Sequence, residues 1–272
     1  MSTTTDKIQP CCLTGFRWSG TPQGEEITCY ISKPANASNS PSSSKKRAIL
    51  QIHDLFGWTF PNNRLLADHY AAETNSTVYL PDFFDGLVIP SDLIAQEKWD
   101  QIDLAGFTAK NSREIREPEV FGWARYLGHE LGFEKLGAVG FCFGGWAVFR
   151  LASLDQESGG LDQHGDGKRR LVDCISAGHP TWLKESDVDG ASTNVGVQVL
   201  STEVDQQFNP QLKAYTFNKL QERGVPFEWV HFPGVGHGCL ARGDENIKGE
   251  REALVRGKNA VVGFMRQWLG TD

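Results

Sequence analysis

The run Gly137-Ala138-Val139-Gly140-Phe141-Cys142-Phe143-Gly144-Gly145-Trp146-Ala147 reads as a short buried strand, a glycine-rich turn and the start of a helix. The spacing G-x-C-x-G-G describes a sharp strand-to-helix turn that lifts one side chain above a sheet. Glycines at 140, 144 and 145 fit this geometry, because backbone and helix approach too closely for larger side chains and such turns often need a φ that glycine adopts readily. Cys142 stands at the apex. On this motif alone it is either a reactive thiol or a buried structural cysteine.

The surrounding pattern fixes the fold class. Apolar strand-like runs at 25–31, 47–52, 77–80, 137–141, 171–176, 197–201 and 227–232 alternate with helical spacings. Leu65, Leu66, His69, Tyr70 and Glu73 follow Pro61 at helical intervals. Pro118 suits a first helical position, with Val120, Ala124, Leu127 and Leu131 on one face. Further helices are predicted near 209–223 and 244–269. Strands separated by helices imply an α/β fold with a mostly parallel central sheet, helices on both faces and no large cap domain. A single domain spanning 1–272 is expected, with residues 1–24 as an N-terminal extension and 158–168 as an exposed hydrophilic loop.

Composition narrows the partners. A net charge of -7 argues against nucleic acid and anionic membranes, both of which call for a basic face. No apolar run approaches the roughly 18 residues of a membrane span. The start MSTTTDKIQPCC lacks the basic and apolar regions of a secretory signal, so a cytoplasmic location and six reduced cysteines are expected. No C-x-x-C or Cys/His spacing indicates a metal, and no cofactor is expected. The expected partner is a small molecule, with the protein a monomer or homodimer.

In a parallel α/β sheet the chemical groups collect at the carboxyl ends of the strands. Asp54, Asp82, Cys142, Asp205 and His237 follow successive strands. The chain order nucleophile, acid, histidine is that of α/β-hydrolase triads. A free thiol with a pKa near ~8.5 is only slightly ionised at neutral pH and needs activation. A helix N-terminus contributes roughly 0.3–1 kcal/mol, less than one pKa unit, so an imidazole must do most of the work. His237 supplies that base and Asp205 orients it, with Glu203 as the rival acid. The N–H groups of Phe143 and Leu55 are the natural oxyanion donors. Phe56, Trp58, Phe84, Phe143, His179 and Trp182 sit in loops beside these strand ends and predict an aromatic-lined pocket, with core packing the competing role of each.

The runs G-F-C-F-G-G at 140–145, F-P-G-V-G-H-G at 232–238, H-D-L-F-G at 53–57 and P-D-F-F at 81–84 resemble the dienelactone hydrolase family, particularly its fungal branch. The resemblance covers most of the chain from about residue 25. It implies a cap-free α/β-hydrolase fold, the triad Cys142, His237 and Asp205, and hydrolysis of an enol-lactone or activated ester. It also implies that Asp54, one methylene shorter than the family's Glu, contacts the resting thiol. Arg242 is a loose match to one of two arginines that clamp a substrate carboxylate, while the other falls near the acidic Asp85. Two alternatives stay open: a cyclase, isomerase or lyase on the same fold, and a non-catalytic or redox-sensing thiol protein.

Overall fold

The run Arg47–Ile52 is buried along its whole length. Ala48, Leu50 and Ile52 face one apolar cluster and Ile49 the other, so a strand covered on both sides carries apolar residues on both. In the computed structural model, residues 8–26, 29–34, 46–90, 93, 98–153 and 170–270 are described. Their strands are β1 (Glu25–Glu26), β2 (Cys29–Ser32), β3 (Arg47–Ile52), β4 (Thr77–Pro81), β5 (Lys135–Phe141), β6 (Cys174–Gly178), β7 (Gly196–Val204) and β8 (Phe227–Gly236). The sheet order is β1-β2-β4-β3-β5-β6-β7-β8. Pairing is parallel from β4 through β8, and β1 and β2 join antiparallel at one edge. The expected single first strand is therefore two short strands folded on each other, Glu25 opposite Ile31.

The helices are α1 (Pro61–Thr74), α2 (Leu104–Lys110), α3 (Arg113–Arg125), α4 (Gly144–Leu151), α5 (Glu185–Asp189), α6 (Pro210–Glu222), α7 (Cys239–Arg242) and α8 (Lys248–Leu269). Trp146, Val148 and Phe149 of α4 belong to the apolar cluster on one face of the sheet. Leu66 and Tyr70 of α1 and Val261 and Met265 of α8 belong to the cluster on the other. This is the α/β-hydrolase fold, and no large cap domain occurs among the described residues. Pro118 lies inside α3 rather than at its start, because the helix begins at Arg113 after Ser112. Its missing N–H removes one bond from the helical ladder. The predicted 158–168 loop lies outside the described residues.

A 3-10 turn, Pro10–Leu13, precedes the sheet. Leu13 and Cys12 are both buried. Among the described residues no helix is long and apolar enough to cross a membrane.

Candidate active site

Cys142 has φ +53°, a left-handed conformation that a non-glycine residue adopts only under constraint. The constraint is visible in the backbone. Its N–H donates to Gly178 O at 3.1 Å, while its carbonyl accepts from Gly145 N at 2.9 Å and Thr181 N at 2.8 Å. A Cβ on Gly140 would stand 2.2 Å from Gly144 O, and one on Gly144 would stand 2.3 Å from Ile52 O. The elbow is thus pressed against the end of β3, from which the Asp54–Gly57 turn departs. The N–H groups of Leu55 and Phe143 have no acceptor within the protein among the described residues. Unengaged amides are what an oxyanion developing nearby would require.

The ends of β7 and β8 bring Asp205 and His237 together. Val204 pairs with Gly236 across the sheet, and His237 N donates to Val204 O at 2.9 Å. Nδ1 of His237 then lies 3.0 Å from both carboxylate oxygens of Asp205. Asp205 also accepts from the amides of Gln207 and Phe208, each at 2.9 Å. Burial opposes its ionisation, but His237 and these donors outweigh burial and hold the carboxyl below its usual range. Glu203, the rival acid, instead accepts from Gly234 N at 2.6 Å.

With Nδ1 engaged by Asp205, Nε2 of His237 faces the thiol. Thr181 Oγ1 stands between them, 3.2 Å from Cys142 Sγ and 3.3 Å from Nε2. Burial pushes the Cys142 thiol well up, the hydrogen bond with Cys12 adds to this, and His237 opposes it. Burial works against a charge on His237, yet Cys12, Cys142 and Asp205 outweigh it and raise the imidazole.

Two residues near His237 escaped sequence reasoning. Cys12 places its sulfur 3.6 Å from His237 Nε2 and 3.6 Å from Thr181 Oγ1. Its only sequence signal was adjacency to Cys11. Thr181 follows β6 in the run His179-Pro180-Thr181-Trp182, so the strand-end rule pointed to its neighbourhood and passed over the hydroxyl.

The other predicted residues divide. Asp54 was expected to face the thiol. Its Oδ2 forms a buried ion pair with Arg242 Nε at 2.7 Å, and its Oδ1 accepts from Phe56 N and Asn63 Nδ2, both at 3.1 Å. Among the described residues no thiol is a hydrogen-bond partner of that carboxylate. The physical reason is Arg242, which is buried at the end of α7 rather than paired with Asp244 or Glu245 at the surface. Its guanidinium lies 4.7 Å from the Phe56 ring centroid, and its Nη1 donates to the carbonyls of Cys12 at 2.7 Å and Thr14 at 2.5 Å. Asp85 pairs with Arg116 at 2.8 Å.

Phe56, Phe84, Phe143 and Trp182 share one apolar cluster with Cys142, and Phe143 meets the edges of Phe84 and Trp182 at 4.8 and 5.7 Å. Trp58 packs against the opposite cluster beneath Arg64 and is not among them. His179 stacks edgewise on His237 at 4.8 Å, and neither ring nitrogen has a hydrogen-bond partner among the described residues. Burial first, then His237 and Arg242, hold its pKa well below normal, so the ring is neutral. A cavity of about 190 Å³ runs from the N-terminal segment at Thr14–Phe16 to His237, bounded by Arg242 and Glu250.

The family model described as "Dienelactone hydrolase family" matches residues 34–269. The chain belongs to that family. It is accordingly an enzyme of the carboxylic-ester and lactone hydrolase class. The chain is 28% identical over 254 residues to "Hydrolase tropI" of Talaromyces stipitatus, covering 90% of this chain and 91% of the relative. It is 34% identical over 202 residues to "Carboxymethylenebutenolidase homolog" of Homo sapiens, covering 72% and 75%. A putative dienelactone hydrolase from Klebsiella pneumoniae superposes with a TM-score of 0.65 at 13% identity, covering 88% of this chain and 92% of that one, a likeness of fold.

Proposed function

We propose that the protein cleaves an enol-lactone or activated ester through Cys142, His237 and Asp205. The observation that carries this reading is the engagement of His237 Nδ1 by both oxygens of Asp205 at 3.0 Å, which turns Nε2 toward the thiol. Asp205 fixes the tautomer and offsets the charge that appears on the ring. The thiol proton passes to Nε2, with the Thr181 hydroxyl placed to relay it. Sulfur then bonds to the substrate carbonyl carbon, and the oxyanion is held by the amides of Leu55 and Phe143. The acyl C–O bond breaks, and the leaving oxygen takes the proton back from His237. A water activated by the same imidazole hydrolyses the thioester and restores the thiol.

The aromatic residues Phe56, Phe84, Phe143 and Trp182 favour an apolar or aromatic acyl group. His179 adds a neutral ring beside the base. Nη2 of Arg242 has no hydrogen-bond partner among the described residues and offers a donor to a substrate carboxylate. Asp54 acts here through Arg242 rather than on the thiol. The reading carries with it a reducing compartment such as the cytoplasm, and a single catalytic unit working as a monomer or homodimer.

Intact mass spectrometry after brief exposure to a chromogenic aryl ester tests this. A single acyl adduct is expected on the wild-type chain, absent from Cys142→Ala together with hydrolysis. Hydrolysis that persists at the wild-type rate in Cys142→Ala would refute the mechanism.

A further inference from the structure

Cys12 has no part in the hydrolysis just described, yet its thiol is buried against the base. Two sulfurs and one imidazole nitrogen, from Cys12, Cys142 and His237, lie within 4.8 Å of one another. Thr181 Oγ1 completes a four-cornered figure. It lies 3.6 Å from the Cys12 sulfur, 3.2 Å from the Cys142 sulfur and 3.3 Å from Nε2, while the Cys12 sulfur is 3.6 Å from Nε2. A tetrahedral zinc ion binds sulfur at about 2.3 Å and nitrogen or oxygen at about 2.0–2.2 Å, which sets its ligand atoms roughly 3.3–3.8 Å apart. Of the six edges of such a tetrahedron, three fall in that range, a fourth is a tenth of an ångström short of it, and the two from the Cys142 sulfur to the Cys12 sulfur and to Nε2 lie within 4.8 Å.

We propose that Cys12, Cys142 and His237, with Thr181 at the fourth corner, form a binding site for a zinc-class divalent cation that silences the enzyme by capturing its nucleophile. Three features of the surroundings favour binding. Asp205 holds Nδ1 and leaves Nε2 directed at the site, the carboxylate–histidine arrangement that orients and strengthens a metal-binding imidazole. Arg242 holds the carbonyls of Cys12 and Thr14, so the N-terminal turn is anchored with the Cys12 sulfur facing inward. Charge also balances within the coordination sphere: the two thiols release two protons, and two thiolates, a neutral imidazole and a hydroxyl around one divalent ion sum to zero.

Sequence spacing concealed this site, since Cys12 and His237 are 225 residues apart. The cation site stands on its own geometry, whereas its silencing of the enzyme rests on the reading of Cys142 as the nucleophile.

The test uses the full chain stripped with a chelator and kept in a non-thiol reductant, so that disulfide formation cannot mimic metal capture. Titration with Co²⁺ should show one equivalent bound, with thiolate-to-cobalt charge transfer and the intense visible bands of tetrahedral coordination. About two protons should be released per ion, and Zn²⁺ should displace the cobalt. Cys12→Ser should weaken binding at least tenfold and reduce the charge-transfer band, and Asp205→Asn should weaken it about 10–100-fold. Cys12→Ala, checked for native circular dichroism, serves if the serine variant folds poorly. No binding at micromolar Co²⁺, a weak octahedral spectrum, or an unchanged spectrum in folded Cys12 variants would overturn the proposal. Esterase activity without cobalt binding rejects the metal site alone. Cobalt binding without esterase activity rejects the hydrolase reading alone.

Discussion

Arg242 Nε lies 2.7 Å from Asp54 Oδ2, with both side chains wholly withdrawn from solvent. The same guanidinium grips the N-terminal turn, so one ion pair joins the β3 loop, α7 and the segment over the active site. Arg242→Met should therefore destabilise the protein by about 3–5 kcal/mol, because it strands a buried carboxylate. Removing both charges, in Arg242→Met with Asp54→Leu, should lose less than the single change. Denaturant unfolding of the three proteins checks this.

Asp205→Asn should lower kcat by about 10⁴-fold with little change in KM, because the amide favours the wrong imidazole tautomer. Steady-state hydrolysis of an aryl ester at neutral pH measures it.

The same residue predicts acid sensitivity. Asp205 is held below its usual range in the folded state. Its contribution to stability is present above the ordinary aspartate value of ~3.9 and is lost as pH falls through the depressed native value. Melting temperature should drop across that window in the wild type, and the drop should be shallower in Asp205→Asn. Equal slopes would contradict the assignment.

Burial raises the Cys142 thiol, so its thiolate fraction grows only as pH climbs above the ordinary thiol range. Carbamidomethylation of Cys142, followed by peptide mass spectrometry, should be slow at neutral pH and accelerate in alkali. His237→Ala should slow it further near neutrality.

Glycines in the last helix and at the elbow should respond in opposite directions to alanine. A Cβ at Gly263 meets nothing within 4 Å, so Gly263→Ala should stabilise α8 by about 0.5–1 kcal/mol. Gly140→Ala would place a Cβ 2.2 Å from the Gly144 carbonyl and should prevent the elbow from forming. Thermal melts and soluble yield distinguish the two.

These cases also mark what was legible in the chain. The elbow could be read because its constraint is local: Gly140 and Gly144 are required by atoms a few residues away or on the adjacent strand. Asp205 and His237 could be read because parallel strands end at one edge, which turns chain order into spatial proximity. Gly249, Gly257 and Gly263 are poor helix formers, yet α8 runs unbroken from Lys248 because one face is buried in the core. Pro118 looked like a helix start because its own preference is local, and the helix around it is set by packing.

What could not be read were partnerships between distant polar groups. Asp54 and Arg242 were each noticed, but assigned to the thiol and to substrate, because nothing in the chain says that a carboxylate at 54 meets a guanidinium at 242. Cys12 carried no periodic or motif signal. Thr181 was hidden between two more conspicuous aromatic residues, His179 and Trp182.

The anchoring of the N-terminal turn has a consequence in time as well as space. Cys12 is made 225 residues before the imidazole it packs against. At roughly 5–20 residues per second of synthesis, that interval lasts about 10–45 s. During it the nascent chain carries Cys12 without its shelter, and the elbow thiol joins it before the base exists. The enzyme thus becomes competent only once its C-terminal third has been made and folded back. Cellular oxidants and metals meet its two central thiols first as ordinary, unprotected side chains.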